Sequence, residues 1–256
     1  MTIFTNKNPV EHVQVYFAVR GNEPENFEAA YQSGADAVVF DLDKPVPVKD
    51  KVKARHAVAE FLQTKPTLPT LIRINGPDTA FTHEDLKTII QPGVSALRLP
   101  RVESSNWIRD IAQIVELKRQ QAGIIPTIGL EVYPGSAKGL INLLDLAGAT
   151  HTIWRLGLAE ESLYQSIQSS TDQAMLLARL QVVQASQTFR LTGPVQKSFV
   201  PHWSDEYMYE SSLLGLELGY TARTVWKTEH VAIWKQAHHD FIHSPIRTQS
   251  GSRKPI

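Results

Sequence analysis

The chain has no cysteine among its 256 residues. That excludes disulfides, thiolate zinc sites, iron–sulfur clusters and thiol nucleophiles together, and leaves any metal to oxygen or imidazole ligands. Net charge is missing too, since 26 basic residues balance 26 acidic ones. Nucleic acid is therefore not expected as a partner, because phosphate neutralisation needs an excess of clustered Lys and Arg. There is no long hydrophobic run. The longest early stretch, Val13 to Val19, contains Gln14 and falls far short of the roughly twenty apolar residues of a spanning helix. No membrane partner is expected, and the default location is the cytoplasm. No G-x-G-x-x-G, P-loop or G-x-S-x-G pattern occurs, and Gly129, Gly135 and Gly139 are too loosely spaced for a dinucleotide turn.

What is present is a composition able to bury a full core, 42% hydrophobic and 20% charged. Short β-rich runs alternate with longer amphipathic ones, the pattern of a parallel sheet wrapped by helices. The strand candidates are Val13–Val19, Ala37–Asp41, Thr70–Ile74, Ala96–Leu99, Ile125–Glu131, His151–Leu156, Val195–Phe199 and Ala222–Val225. Between them the periodicity predicts helices over Pro24–Gln32, Val48–Leu62, His83–Ile90, Ser105–Gln121, Ser136–Ala147, Glu160–Ser169 with Thr171–Ala185, Asp205–Leu218 and Thr228–His239. Eight strand–helix units in a chain of this length are the arithmetic of an α/β fold of the (β/α)8 TIM-barrel type, one domain over residues 1–242. The stretch from His243 to Ile256, rich in Ser, Pro, Arg and Lys, reads as a flexible C-terminal tail.

Chemistry in such a barrel sits at the C-terminal ends of the strands. Here those ends carry Asp41-Leu42-Asp43-Lys44, Arg73-Ile74-Asn75-Gly76, Pro100-Arg101, Glu131, and Gly157 with Glu160 soon after. Glu131 follows an apolar run, where a carboxylate is costly to desolvate unless it is paired or bound to a cation. Two readings stay open. Glu131 and Glu160 can hold Mg²⁺, a hard cation content with one or two carboxylates, water and substrate. Otherwise Glu131 pairs with Arg73 or Arg155, and Glu160 is an acid stabilised by the N-terminus of its helix. The planar fork of Arg73 suits a carboxylate or an enolate oxygen. His238-His239 are adjacent rather than one helical turn apart, so they read as surface residues. Trp203, Tyr207 and Tyr209 read as core or subunit interface.

The ordered set Gly34-Ala35-Asp36-Ala37-Val38-Val39-Phe40-Asp41-Leu42-Asp43, Lys53-Ala54-Arg55, Ile72-Arg73-Ile74-Asn75-Gly76 and Leu99-Pro100-Arg101-Val102-Glu103-Ser104 resembles the citrate lyase β-subunit family of the HpcH/HpaI aldolase superfamily. The resemblance runs from about Val13 to His239. It implies a TIM barrel that makes or breaks carbon–carbon bonds in small oxo- or hydroxy-acids, often as coenzyme A thioesters, with Mg²⁺ or Mn²⁺ as cofactor. It also implies Arg73 on the oxo-acid, Glu131 and Glu160 on the metal, and assembly as a trimer or hexamer. Asp43 is then a catalytic partner of substrate or of metal-bound water, and Lys44 and Asn75 join Arg73 in binding substrate. The chain departs from the family where D-L-E-D reads Asp41-Leu42-Asp43-Lys44, where an early arginine reads Gln14 and the following proline Arg20, and where I-H-P reads Val225-Trp226-Lys227. Lys44 reverses a charge and makes the mouth more attractive to anions. The alternative to an active lyase with an atypical site is a barrel that has lost its chemistry and serves as a binding or regulatory protein.

Overall fold

The computed structural model describes residues 8–64, 66–169, 171–198 and 203–244. Eight parallel strands run in the order β6-β5-β4-β3-β2-β1-β8-β7. They are β1 (Val15–Arg20), β2 (Ala37–Asp41), β3 (Thr70–Arg73), β4 (Ala96–Pro100), β5 (Gly129–Tyr133), β6 (Ile153–Leu156), β7 (Val195–Gln196) and β8 (Ala222–Val225). A parallel bridge between Gly157 and Val195 joins the two ends of the sheet, giving the (β/α)8 barrel that the strand count implies. The helices are α1 (Phe27–Tyr31), α2 (Lys51–Leu62), α3 (Thr82–Ile89), α4 (Ser105–Gln121), α5 (Ala137–Ile141), α6 (Leu143–Ala147), α7 (Glu160–Ile167), α8 (Asp172–Thr188), α9 (Asp205–Leu218) and α10 (Thr228–Ile242). Ser104, Ser136, Thr171 and Ser204 cap α4, α5, α8 and α9, each side chain accepting a backbone N–H of the first turn.

The strands are apolar on both faces because both are covered. Tyr16, Ala18, Ala37, Val39, Leu71 and Ala96 pack together inside the barrel. Val38, Phe40, Ile72, Leu97, Leu130 and Val132 pack outward with helix residues. Phe40 meets Phe27 and Phe61 edge-on at 4.6 and 5.5 Å, and burying a side chain of this size contributes roughly 1.5–3 kcal/mol. By the same alternation Asp41, Arg73, Arg98 and Glu131 face inward. Strand register sets Asp41 beside Arg73, Arg73 beside Arg98 and Arg98 beside Glu131.

Several boundaries differ from expectation for local reasons. The fifth strand starts at Gly129 rather than Ile125. Pro126 has no N–H to give a central ladder, and the carbonyls of Ile124 and Ile125 accept from Arg119 instead. Gly129 must be glycine, since a Cβ there would lie 2.0 Å from the Trp154 ring. The helix expected over Ser136–Ala147 breaks at Asn142 into α5 and α6. Pro24–Asn26 and Val48–Asp50 are 3-10 turns leading into α1 and α2. Phe199, expected to end β7, and residues 245–256 of the expected tail lie outside the described residues.

Candidate active site

At the C-terminal end of the barrel two arginines converge on one carboxylate. Arg73, the last residue of β3, reaches Asp41 Oδ2 at 3.1 Å and Asp43 Oδ2 at 2.9 Å. Arg101 follows β4 and donates through both terminal nitrogens to Asp43, with Nη2 also 2.8 Å from Asp78 Oδ1. Its backbone is left-handed, with φ of 52°, a conformation that costs a non-glycine residue energy and aims this guanidinium over the mouth. Gly76 leaves it room, because a Cβ there would stand 2.4 Å from Arg101 Nη2. The turn after β2 is fixed from below by Lys51, whose Nζ donates to the carbonyls of Leu42 and Asp43 at 2.6 and 2.7 Å. Burial pushes the Asp43 carboxyl up, but the Arg101 hydrogen bonds and the Arg73 charge outweigh it and hold the group well below the usual carboxylate range. Burial raises Asp41, which has Arg73 as its one ion-pair partner among the described residues.

The other expected site residues are placed differently. Lys44 is exposed at the rim and donates to Ser162 Oγ of α7 at 3.0 Å. Asn75 is buried, and both its backbone N–H and its side-chain amide donate to Asp85 Oδ2 at 2.8 and 2.7 Å. Arg55 grips the other oxygen of Asp85, so Asn75 anchors the turn after Arg73.

Glu131 lies inside the barrel with no exposed surface. Its Oε1 accepts from Tyr16 Oη at 2.6 Å, and its Oε2 from Arg98 Nε at 2.8 Å and from Tyr133 Oη at 3.4 Å. Arg98 also donates to Thr224 on the far side of the barrel. Burial first, then the adjacent Glu131 charge, pushes the Tyr16 phenol well above its ordinary value, so it stays a donor. The partner of Glu131 is thus Arg98, not Arg73 or Arg155. Glu160 is the first residue of α7, but both its oxygens accept from Arg179 of α8 at 2.9 and 2.8 Å, with Lys197 Nζ at 3.6 Å. The structure does not bring Glu131 and Glu160 together as open carboxylates. Among the described residues no group of three or more His, Asp or Glu side chains could hold a metal ion.

Arg98 is the participant that the sequence left out, and Asp41 and Arg101 stood at the rim in it without a role. A signal for Arg98 was present: Ala96-Leu97-Arg98-Leu99-Pro100 places a charge on the same inward phase as Ala96. Of the aromatic trio, Trp203 and Tyr207 meet edge-on at 5.1 Å, whereas Tyr209 donates to Asp240 of α10. Gln14 precedes β1 at the opposite end of the barrel, so its exchange does not alter the mouth. No helix among the described residues is long and apolar enough to cross a membrane.

The chain has relatives in sequence and in fold. The citrate lyase subunit beta of Leuconostoc mesenteroides subsp. cremoris is 26% identical over 213 residues, covering 81% of this chain and 70% of that one. The L-malyl-CoA/β-methylmalyl-CoA lyase of Rhodobacter capsulatus is 26% identical over 156 residues, covering 59% of this chain and 49% of its own length. A citrate lyase beta subunit from Mycobacterium tuberculosis, solved with oxaloacetate and magnesium, superposes with a TM-score of 0.75 at 18% identity, over 91% of this chain and 99% of that one. A further structure of the Mycobacterium tuberculosis protein, with magnesium, acetoacetate and coenzyme A, gives 0.76 at 18% identity, over 96% and 90%. The sequence profile described as HpcH/HpaI aldolase/citrate lyase matches residues 14–197. With the barrel closed and the paired arginines on its C-terminal rim, the chain belongs to the HpcH/HpaI aldolase/citrate lyase family.

Proposed function

We propose that this protein is a carbon–carbon lyase or aldolase acting on a small oxo- or hydroxy-acid. The observation that carries the proposal is the convergence of Arg73 and Arg101 on Asp43 at the end of the barrel where this fold does chemistry. Arg73 is the group that meets the acid, since its side chain keeps 23% of its surface exposed. Its fork binds a carboxylate and stabilises negative charge growing on oxygen as the carbon–carbon bond breaks or forms. Asp43 is 2% exposed with both oxygens engaged, so it acts by holding the two guanidinium groups in register. Coenzyme A thioesters are the other substrate form that the relatives suggest. Free acids are the better expected substrates, because Lys44 and Trp226 stand where the family pattern has other residues.

Mg²⁺ is the cofactor that the magnesium-bound relatives suggest. The residues expected to hold it do not fit an ion as they are arranged here, because every oxygen of Glu131 and Glu160 already accepts from a protein donor. An entering ion must first take a carboxylate from a guanidinium. Glu131→Gln should leave Mg²⁺ affinity unchanged by calorimetry, with or without oxaloacetate. A loss of binding would return Glu131 to the coordination shell.

Lys44 separates a redirected site from an inert one. Lys44→Ala should weaken binding of an anionic substrate by about 1–3 kcal/mol, the range for charge-assisted hydrogen bonds. Urea unfolding should barely change, because the side chain is exposed. The complete pairing of the candidate carboxylates favours one other reading, a barrel that binds oxo-acids without turnover. Binding of oxaloacetate or pyruvate at Arg73 with no product over long incubation would select it. Homo-oligomeric assembly as a trimer or hexamer is part of the proposal, supported by the exposed Leu176, Leu177 and Leu214 on α8 and α9, and light scattering measures it.

A further inference from the structure

Arg73 and Arg101 are both already held by carboxylates, so an anion arriving at the mouth must displace one of them. Arg101 uses two edges of its fork. Nη1 and Nη2 donate to Asp43, while Nη2 and Nε donate to Asp78, with Nη2 2.8 Å from Oδ1 and Nε 3.2 Å from Oδ2. Arg73 commits its two terminal nitrogens to Asp41 and Asp43. The three acids differ in burial: the side chains of Asp41 and Asp43 are 1% and 2% exposed, and that of Asp78 is 58% exposed.

Taking a buried carboxylate off its arginine strands a charge away from water. Asp78 can leave at little cost, because an exposed ion pair holds weakly and the freed carboxylate is hydrated. The local sequence presents it. Thr79 donates to the carbonyl of Gly76 through its backbone N–H at 3.1 Å and its Oγ1 at 3.0 Å, which closes a turn over Gly76-Pro77-Asp78-Thr79. Thr82 Oγ1 donates to the same carbonyl. A Cβ at Gly76 would stand 2.7 Å from Asp78 Oδ1, so glycine there lets the carboxylate lie against the guanidinium. With the backbone fixed, rotation of one short side chain uncovers the Nε–Nη2 edge of Arg101.

We propose that Asp78 is a latch on the mouth: its carboxylate covers the edge of Arg101 that receives a second carboxylate of the substrate, and swings away when that substrate arrives. This rests on the reading of Arg73 as the group that meets the oxo-acid. Arg73 and Arg101 share Oδ2 of Asp43, so their forks lie side by side and suit two carboxylates of one small molecule. A dicarboxylic oxo- or hydroxy-acid engages both, and a monocarboxylic one engages Arg73 alone. Asp78 acts on selectivity as an internal competitor for the second carboxylate.

Calorimetry on the full chain with oxaloacetate and pyruvate, at constant ionic strength and without added metal, tests the latch. Asp78→Asn keeps the shape of the side chain and removes its charge. It should bind oxaloacetate about fivefold or more tightly, because a competing carboxylate and its like charge are gone, and should change pyruvate affinity by no more than about twofold. A purely structural Asp78 gives no gain. Arg101→Lys, which has no Nε–Nη2 edge, should cancel the gain when combined with Asp78→Asn, with the far-ultraviolet spectrum unchanged. The latch is overturned if Asp78→Asn binds oxaloacetate no more tightly than the parent, if pyruvate gains as much, or if the gain survives Arg101→Lys. Those results leave the mouth standing as the site when Arg73→Ala weakens oxaloacetate binding. Unchanged oxaloacetate affinity in Arg73→Ala overturns the mouth itself, and the latch with it.

Discussion

Arg73→Ala is expected to lower kcat/KM for cleavage of a small hydroxy-oxo-acid by about a hundred- to a thousandfold, the usual cost of removing one donor aimed at a developing oxyanion. The side chain is the more exposed of the two that converge on Asp43, and the loss should fall mainly on kcat, because the interaction strengthens as charge builds on oxygen. Arg73→Lys keeps the charge but not the planar fork, and should recover only part of the rate. Asp43 keeps Arg101 in both variants, so the turn after β2 should hold its shape. Release of the oxo-acid product, followed at several substrate concentrations, measures both parameters. A rate within threefold of the parent for Arg73→Ala would move the reacting oxygen elsewhere and remove the main support for the mouth as the site.

The largest stability effect should come from inside the barrel. Arg98→Met should cost about 3–5 kcal/mol, because it leaves the Glu131 carboxylate buried with only two phenols for company. The reverse substitution, Glu131→Leu, strands the Arg98 guanidinium in the same place and should cost a similar amount. Combining them should recover most of the loss, since replacing a whole buried ion pair by apolar side chains is often close to neutral. The double mutant should therefore lie well above the sum of the single losses. Urea unfolding of the four proteins gives the coupling directly. A cost below about 1 kcal/mol for Arg98→Met would mean that water reaches Glu131, contrary to its complete burial.

The number and chain order of the strands follow from the residues alone, because hydrophobic period, glycine and proline act over a few residues and leave local marks. So does the gathering of Asp41, Asp43 and Arg73 at one rim, since strand ends in this fold share a face. Residues 41–43 and 73 meet in the structure as their positions imply. Which charge pairs with which is set by packing. Glu131 could have met Arg73, Arg155 or a metal; parallel register sets both Arg98 and Arg155 level with it on the flanking strands, and it pairs with Arg98 while Arg155 turns to the carbonyls of Val10 and Val13. A shift of one residue would have turned one of them out toward the helices. Glu160 was legible as the acid that begins a helix, but not its partner, since Arg179 reaches it from a separate helix that packs back on the barrel. Arg155, level with Glu131 on the next strand but bonded to backbone carbonyls, is the same case in reverse. Whether a buried arginine has a counter-ion depends on what the closed barrel brings opposite it, and that is set by the packing of eight strands rather than by the neighbours of Arg155 in the chain.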